Sequence, residues 1–328
     1  MRLIIIIALS ILLLAALCSC ELTCDSPAQG KMHIIVYGND YRYGNYSALL
    51  DKYTSKVFYE NGEYVGDASS LRGTVNDALQ TGLALCALAQ KTGNEYDATF
   101  ILGVEGKTVV DPKACVVNDV SLLSFLNEMY DVKNRAGESD ITIIYLSCHG
   151  FGVNSKLPYG SDPTSGSYLA LRRDSDSTVL YSISKFLRDV ESIPGTKVLI
   201  GDFCHSGGLV KAGNVSVTSG EYTNINASKL LKYRSNITES SSVYCLSAAR
   251  YFEKSHEPGG GEHGYFTSAL LEGLGWDEET QSLVTPEAMT DNRITLFNLA
   301  KYVTANDGNT KQTPMTSGGS NDIILFSF

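Results

Sequence analysis

The sequence predicts a three-layer α/β/α sandwich on a mainly parallel, six-stranded sheet. Three observations predict it: short β-rich apolar runs recur along the chain, helical patterns fall between them, and the alternation continues to the last residues. The runs lie at 32–37, 99–104, 141–146, 197–200, 242–246 and 322–326. Their continuous apolar character suits strands covered on both faces.

The intervening helices follow in order. Thr74 and Asp77 have capping-box spacing ahead of a helix over 78–90, and Asn118 is placed to cap one over 120–129. Apolar residues repeat at helical spacing over 182–191, and 266–274 and 295–303 supply two more helices. Three stretches break the rhythm and read as long loops: the polar, Tyr-rich 41–73, the Ser, Thr, Asn and Gly-rich 209–240, and 254–264 with Pro258 and three following glycines.

Composition bounds the function. The 328 residues carry 26 Lys and Arg against 36 Asp and Glu, a formal charge of -10, with 43% hydrophobic residues. That apolar share suits a packed core and excludes disorder, collagen and coiled coil. The acidic balance argues against nucleic acid as a partner, since neutralising phosphates takes a basic surface.

The first residues read as an address. Arg2 precedes an apolar run over 3–17 broken only by Ser10. About 15 helical residues rise about 22 Å, short of the roughly 30 Å hydrocarbon core. Leu17-Cys18-Ser19-Cys20 resembles the bacterial lipoprotein box, with Cys18 as its departure. Residues 1–19 are therefore expected to be a signal peptide, Cys20 the lipidated residue, 20–30 a tether, and 31–328 one domain. The protein is expected to be exported and lipid-anchored in a bacterial cell envelope, meeting the membrane only through that lipid. Cys86, Cys115 and Cys245 read as buried free thiols rather than a disulfide framework.

Two strand ends carry the chemistry. The run ending at Leu146 opens into Ser147-Cys148-His149-Gly150, and the run ending at Ile200 into Gly201-Asp202-Phe203-Cys204-His205-Ser206-Gly207. Ligands of open α/β sheets bind outside the carboxyl ends of strands, so both segments are expected on one edge, with an imidazole near a thiol. Glycines there permit close main-chain approach to a substrate carbonyl. A metal site from Cys148, His149, Cys204 and His205 lacks ligand-pair spacing. His205, the rival base, is expected to point away from Cys204 from an extended backbone, and His263 reads as a loop residue.

His149-Gly150 with Asp202-x-Cys204-His205-Ser206-Gly207 resembles the motifs of the caspase-like cysteine peptidases, in their metacaspase branch. Further matches are 71–78, Tyr168-Leu-Ala170 with Asp174, Ser247-Ala-Ala249, Glu253 and Glu257, Gly264-Tyr-Phe-Thr267 with Leu270-Leu271, and Lys311-Gln-Thr-Pro314. The resemblance implies a caspase-like fold and a cysteine endopeptidase that acts on proteins or peptides. It implies Cys204 as nucleophile, His149 as its proton-transfer partner, and the backbone N–H groups of Gly150 and Cys204 as oxyanion donors. Asp202 would belong to a specificity pocket for Arg or Lys, with Glu253 adding to it. An unpaired carboxylate beside the thiol raises its pKa, which a basic substrate side chain offsets.

Alternatives stay open. Arg172, Arg173 and Arg250 would serve a preference for Asp, and the fold could be a non-catalytic binding scaffold or a transferase using the same thioester. The 209–240 stretch, with Lys211, Lys229, Lys232 and Arg234, is a candidate for self-processing. Cys148 stands where the family usually has Gly, a second thiol open to oxidation. No cofactor is required; calcium dependence occurs in relatives, and the sequence does not point to it. Nothing in the residues sets the oligomeric state.

Overall fold

The computed structural model describes residues 30–41, 54–103, 111, 113–117, 119–152, 167–174, 177–212, 242–259, 262–317 and 323–328. The signal peptide, Cys20, nearly all of the tether and residues 213–241 lie outside the described residues, as does Asn118.

In chain order the strands are β1 (Met32–Gly38), β2 (Thr54–Tyr59), β3 (Tyr64–Ser69), β4 (Tyr96–Leu102), β5 (Ala114–Val117), β6 (Ile141–Ser147), β7 (His149–Gly152) and β8 (Ser167–Arg172). They continue with β9 (Ser177–Ser182), β10 (Thr196–Asp202), β11 (Val243–Ser247), β12 (Trp276–Asp277), β13 (Ser282–Leu283), β14 (Arg293–Thr295), β15 (Met315–Thr316) and β16 (Ile324–Ser327). The helices are α1 (Thr74–Lys91), α2 (Leu122–Arg135), α3 (Ile183–Glu191), α4 (Gly208–Ala212), α5 (Tyr265–Leu274) and α6 (Leu296–Asn306).

The central sheet has seven strands in the order β15-β11-β10-β6-β1-β4-β5. All pairs are parallel except β15 with β11. Five of the six expected strands are here; the sixth, β16, pairs with β14 in a separate ribbon. The edges are instead filled by β5 and β15, of four and two residues, too short to stand out as apolar runs.

The pleat sorts the core into two clusters. Ile34 and Val36 of β1, Tyr145 of β6 and Ile200 of β10 pack with the apolar faces of α1, α5 and α6. Their strand neighbours Ile35, Tyr37, Ile144 and Leu199 pack with α2 and α3 on the other side. The result is the expected α/β/α sandwich.

A second sheet, ordered β3-β2-β9-β8-β7, joins the face that carries α2 and α3. Its strands β2 and β3 lie inside the stretch read as a loop. Their sequences, TSKVFY and YVGDAS, hold apolar runs of three residues at most, and β3 is largely exposed, so nothing marks them as buried strands. Only Cys148 separates the end of β6 from the start of β7, so the chain passes between sheets at that point.

Helix starts also depart from expectation. Gly73, not Thr74, occupies the N-cap of α1, and Thr74 Oγ1 donates to the Asn39 carbonyl at 2.8 Å. Asp77 is thereby released from capping. Ser121 caps α2 by accepting from the Ser124 N–H at 3.1 Å. Cys86 and Cys245 are buried free thiols, whereas Cys115 is exposed on the edge strand β5.

Candidate active site

The register of the central sheet builds the site. Parallel β6 and β10 place Ser147 opposite Asp202, and two residues further on stand His149 and Cys204. Both line one open cleft of about 190 Å³, with Leu71, Thr74, Asp77, Ser147, Cys148, Asp202, Phe203, Ser255, His256, Glu257 and Gly264. This is below the roughly 300–1,000 Å³ of a site for a whole small ligand, and fits a subsite for a single side chain. Glycine at 150 is a steric requirement, because a Cβ there would lie 1.8 Å from the Cys204 carbonyl oxygen.

The imidazole is oriented from the second sheet. His149 Nε2 lies 2.6 Å from the Ser69 carbonyl oxygen at the end of β3. A carbonyl only accepts, so Nε2 carries the hydrogen and Nδ1 keeps its lone pair. The His149 N–H donates to the Tyr41 hydroxyl at 2.6 Å, whose own hydrogen goes to the Ala170 carbonyl at 2.7 Å. The Tyr41 ring packs against the imidazole, centroids 4.5 Å apart. Burial lowers the His149 pKa, and the Ser69 carbonyl opposes it only partly.

Cys204 is half-buried, with Sγ 3.6 Å from the Ser255 carbonyl oxygen. Burial raises its pKa and Asp202 adds to that, while Ser255 and Lys254 oppose. Burial thus acts on both groups in the same sense, disfavouring the thiolate of Cys204 and the imidazolium of His149.

Three carboxylates line the same cleft. Asp202 accepts from the Ser255 hydroxyl at 2.5 Å and the Thr267 hydroxyl at 2.6 Å. Asp77 accepts from the Ser147 hydroxyl at 2.9 Å and the Gly264 N–H at 3.2 Å. Glu257 accepts from the Arg72 N–H at 3.4 Å. Burial pushes all three pKa values above the usual carboxylate range, and Asp202 adds to the rise at Asp77 and Glu257. Gly264 is confined here too, since a Cβ would meet Asp202 Oδ2 at 2.5 Å.

Of the residues singled out in the sequence, His149, Gly150, Cys204 and Asp202 are brought together. Glu253 is not: its carboxylate is taken by the Arg250 guanidinium at 3.5 Å, the Arg250 N–H at 3.2 Å and the Thr313 hydroxyl at 3.3 Å, and it does not line the cleft. Glu257 lines the cleft instead. Arg250 is spent on Glu253, while Arg172 donates to the Asp174 carbonyl and Arg173 faces the Asp174 carboxylate. His205 does point away, but from a left-handed backbone, φ 63°, rather than an extended one. Its ring packs on Gly152 and bonds the Tyr251 carbonyl at 2.9 Å. Cys148 is buried at the rear of the cleft, its pKa raised chiefly by burial. His263 is indeed in a loop, yet both its ring nitrogens meet carboxylates.

Several site residues escaped the sequence reading. Ser69 contributes a main-chain atom, which no side-chain pattern reports. Asp77 carried the spacing of a helix cap, and Glu257 was visible only as part of the family pattern. Among the described residues no group of three or more His, Cys, Asp or Glu side chains is arranged to hold a metal ion. No helix among them is long and apolar enough to cross a membrane.

A seven-stranded, mostly parallel sheet between helical layers, with a thiol and an imidazole lining one cleft at its carboxyl edge, defines a caspase-like α/β protein. The family model described as caspase domain matches residues 57–321, and the chain belongs to that family. No curated protein matches it. Similar solved structures include protein GSU0716 from Geobacter sulfurreducens, at 12% identity over 88% of this chain and 94% of that one, with a TM-score of 0.48. Caspase-1 from Spodoptera frugiperda is similar at 11% identity over 88% of this chain and 86% of that one, with a TM-score of 0.45.

Proposed function

We propose that the protein is a cysteine endopeptidase that cleaves after Arg or Lys. The observation that carries this reading is a cleft shared by Cys204, His149 and the carboxylates of Asp77, Asp202 and Glu257, with no Arg or Lys in its lining. Buried carboxylates repel one another and raise the pKa of a neighbouring thiol. A substrate guanidinium or ammonium relieves both effects, so binding the cation activates the nucleophile.

In this mechanism Sγ of Cys204 attacks the carbonyl carbon of the scissile bond while its proton passes to Nδ1 of His149. The oxyanion of the tetrahedral intermediate accepts from the N–H groups of Gly150 and Cys204, whose main chains are in close contact. His149 returns the proton to the leaving amine as the C–N bond breaks. Water, deprotonated by His149, then hydrolyses the thioester on Cys204. The same preference makes Lys211, Lys229, Lys232 and Arg234 candidates for self-processing. The N-terminal pattern supports export and lipid anchoring at Cys20.

Reporter peptides with Arg, Lys or Asp before the scissile bond, given to wild type and Cys204→Ala, test the reading. Release after Arg and Lys by wild type alone supports it. Release after Asp overturns the basic preference, and no release from a folded chain supports a binding scaffold.

A further inference from the structure

Behind the acidic floor of the cleft stands a side chain that does not line it. His263, in the loop leading to α5, has Nδ1 2.8 Å from Asp77 Oδ1 and Nε2 2.7 Å from Glu278 Oε2. With a carboxylate oxygen facing each ring nitrogen, and Asn76 Nδ2 3.2 Å from Nε2, the ring is placed to donate to both carboxylates as an imidazolium. Asn76 Nδ2 donates to the other Glu278 oxygen at 2.9 Å and fixes that carboxylate. The ring is nearly buried, with a side-chain exposure of 11%, against 34% for Glu278.

The need for a cation here follows from the floor itself. Asp77 and Asp202 are buried, 1% and 6% exposed, and the charge of Asp202 raises the cost of ionising Asp77. Before substrate arrives, a counter-charge inside the cleft would occupy the place the substrate must take. A counter-charge behind Asp77 leaves that place open.

We propose that His263 is a positioning residue for substrate recognition: its imidazolium, tied between Asp77 and Glu278, keeps the Asp77 carboxylate charged and aimed into the empty cleft, ready for a guanidinium or ammonium. This rests on the reading of a basic substrate side chain. The titratable groups that face the ring are Asp77 from α1, Glu278 from the turn after β12 and, beyond Asp77, Asp202 from β10. Burial disfavours the charged ring, but the two carboxylates outweigh it and hold His263 above the ordinary imidazole range. Burial likewise lifts Asp77, and His263 is the chief influence against that lift.

The test compares alkylation of Cys204 by an arginine chloromethyl ketone and by iodoacetamide, between about pH 5 and 9, in wild type, His263→Asn and Glu278→Gln. Asparagine keeps a donor facing Asp77 and removes the charge. In His263→Asn the preference for the arginine reagent falls about tenfold near pH 6 and recovers near pH 8, an upward move of the acid limb by about one pH unit. Glu278→Gln moves it the same way by less. A loss uniform in pH, or an equal change with iodoacetamide, overturns the proposal. If wild type shows no preference for the arginine reagent, the basic-substrate reading itself fails. The ring is then judged by NMR in the Cys204→Ala chain: titration above the ordinary imidazole range, lowered by Glu278→Gln, upholds the charge assignment, and ordinary titration overturns it.

Discussion

Nε2 of His149 donates to the main-chain carbonyl of Ser69 at 2.6 Å, so one edge strand of the second sheet sets the tautomer of an imidazole carried at the start of its other edge strand, just beyond the carboxyl end of β6. The acceptor is a neutral carbonyl, not a carboxylate, and gives little help to an imidazolium. His149→Ala is expected to reduce peptidase turnover by about 10²- to 10⁴-fold, the usual share of a general acid–base residue. Iodoacetamide should still label Cys204 at nearly the wild-type rate, because the resting thiol is not held as a thiolate by its partner. A large parallel drop in labelling would show a preformed ion pair instead.

The pH dependence of that labelling carries its own sign. Burial and Asp202 hold the Cys204 thiol above its ordinary value, so the thiolate fraction at neutral pH is small. The labelling rate should climb only above the range of a free cysteine. A plateau already reached at pH 7 would contradict that rise.

Asp202→Asn should act in opposite directions on two measurements. Removing the buried partner of a substrate cation is expected to lower kcat/KM for Arg and Lys reporters by at least about 30-fold, or about 2 kcal/mol. Removing a negative charge beside the thiol should speed iodoacetamide labelling. A general disruption of the site would slow both.

Gly150→Ala tests the close packing of the two motifs. Its Cβ would meet the Cys204 carbonyl at 1.8 Å and Phe203 at 2.7 Å. Overpacking of this kind costs about 1–3 kcal/mol, seen as a lower denaturation midpoint, and the displacement of Cys204 should remove turnover even where the chain stays folded.

Self-processing predicts fragments with defined ends. Mass mapping of purified wild type should find cuts after one or more of Lys211, Lys229, Lys232 and Arg234, with Cys204→Ala intact. Equal cutting of both chains would assign the cuts to another protease.

The central sheet was legible because each of β1, β4, β6, β10 and β11 is apolar on both faces, and the motifs at the ends of β6 and β10 gave the thiol and the imidazole. Strands β2 and β3 of the second sheet were not, since β3 is largely exposed and neither holds a long apolar run. Within the site, Asp77 was hidden by a spacing that also describes a helix start. Glu253 and Glu257 lie in one loop, and spacing could not decide which of them turns inward. Packing decides it: Arg250 and Thr313 draw Glu253 away, while Glu257 meets the Arg72 main chain at the cleft.

The transfer of the chain between sheets at Cys148 has a consequence for how the molecule comes into being. Asp77, His149, Cys204 and Ser255 reach the cleft from widely separated parts of the sequence, and the parallel pairing of β6 with β10 is itself non-local. Such contacts form late in folding. A growing polypeptide that stops short of Gly264 lacks part of the lining, so the cleft is complete only after most of the chain has been made.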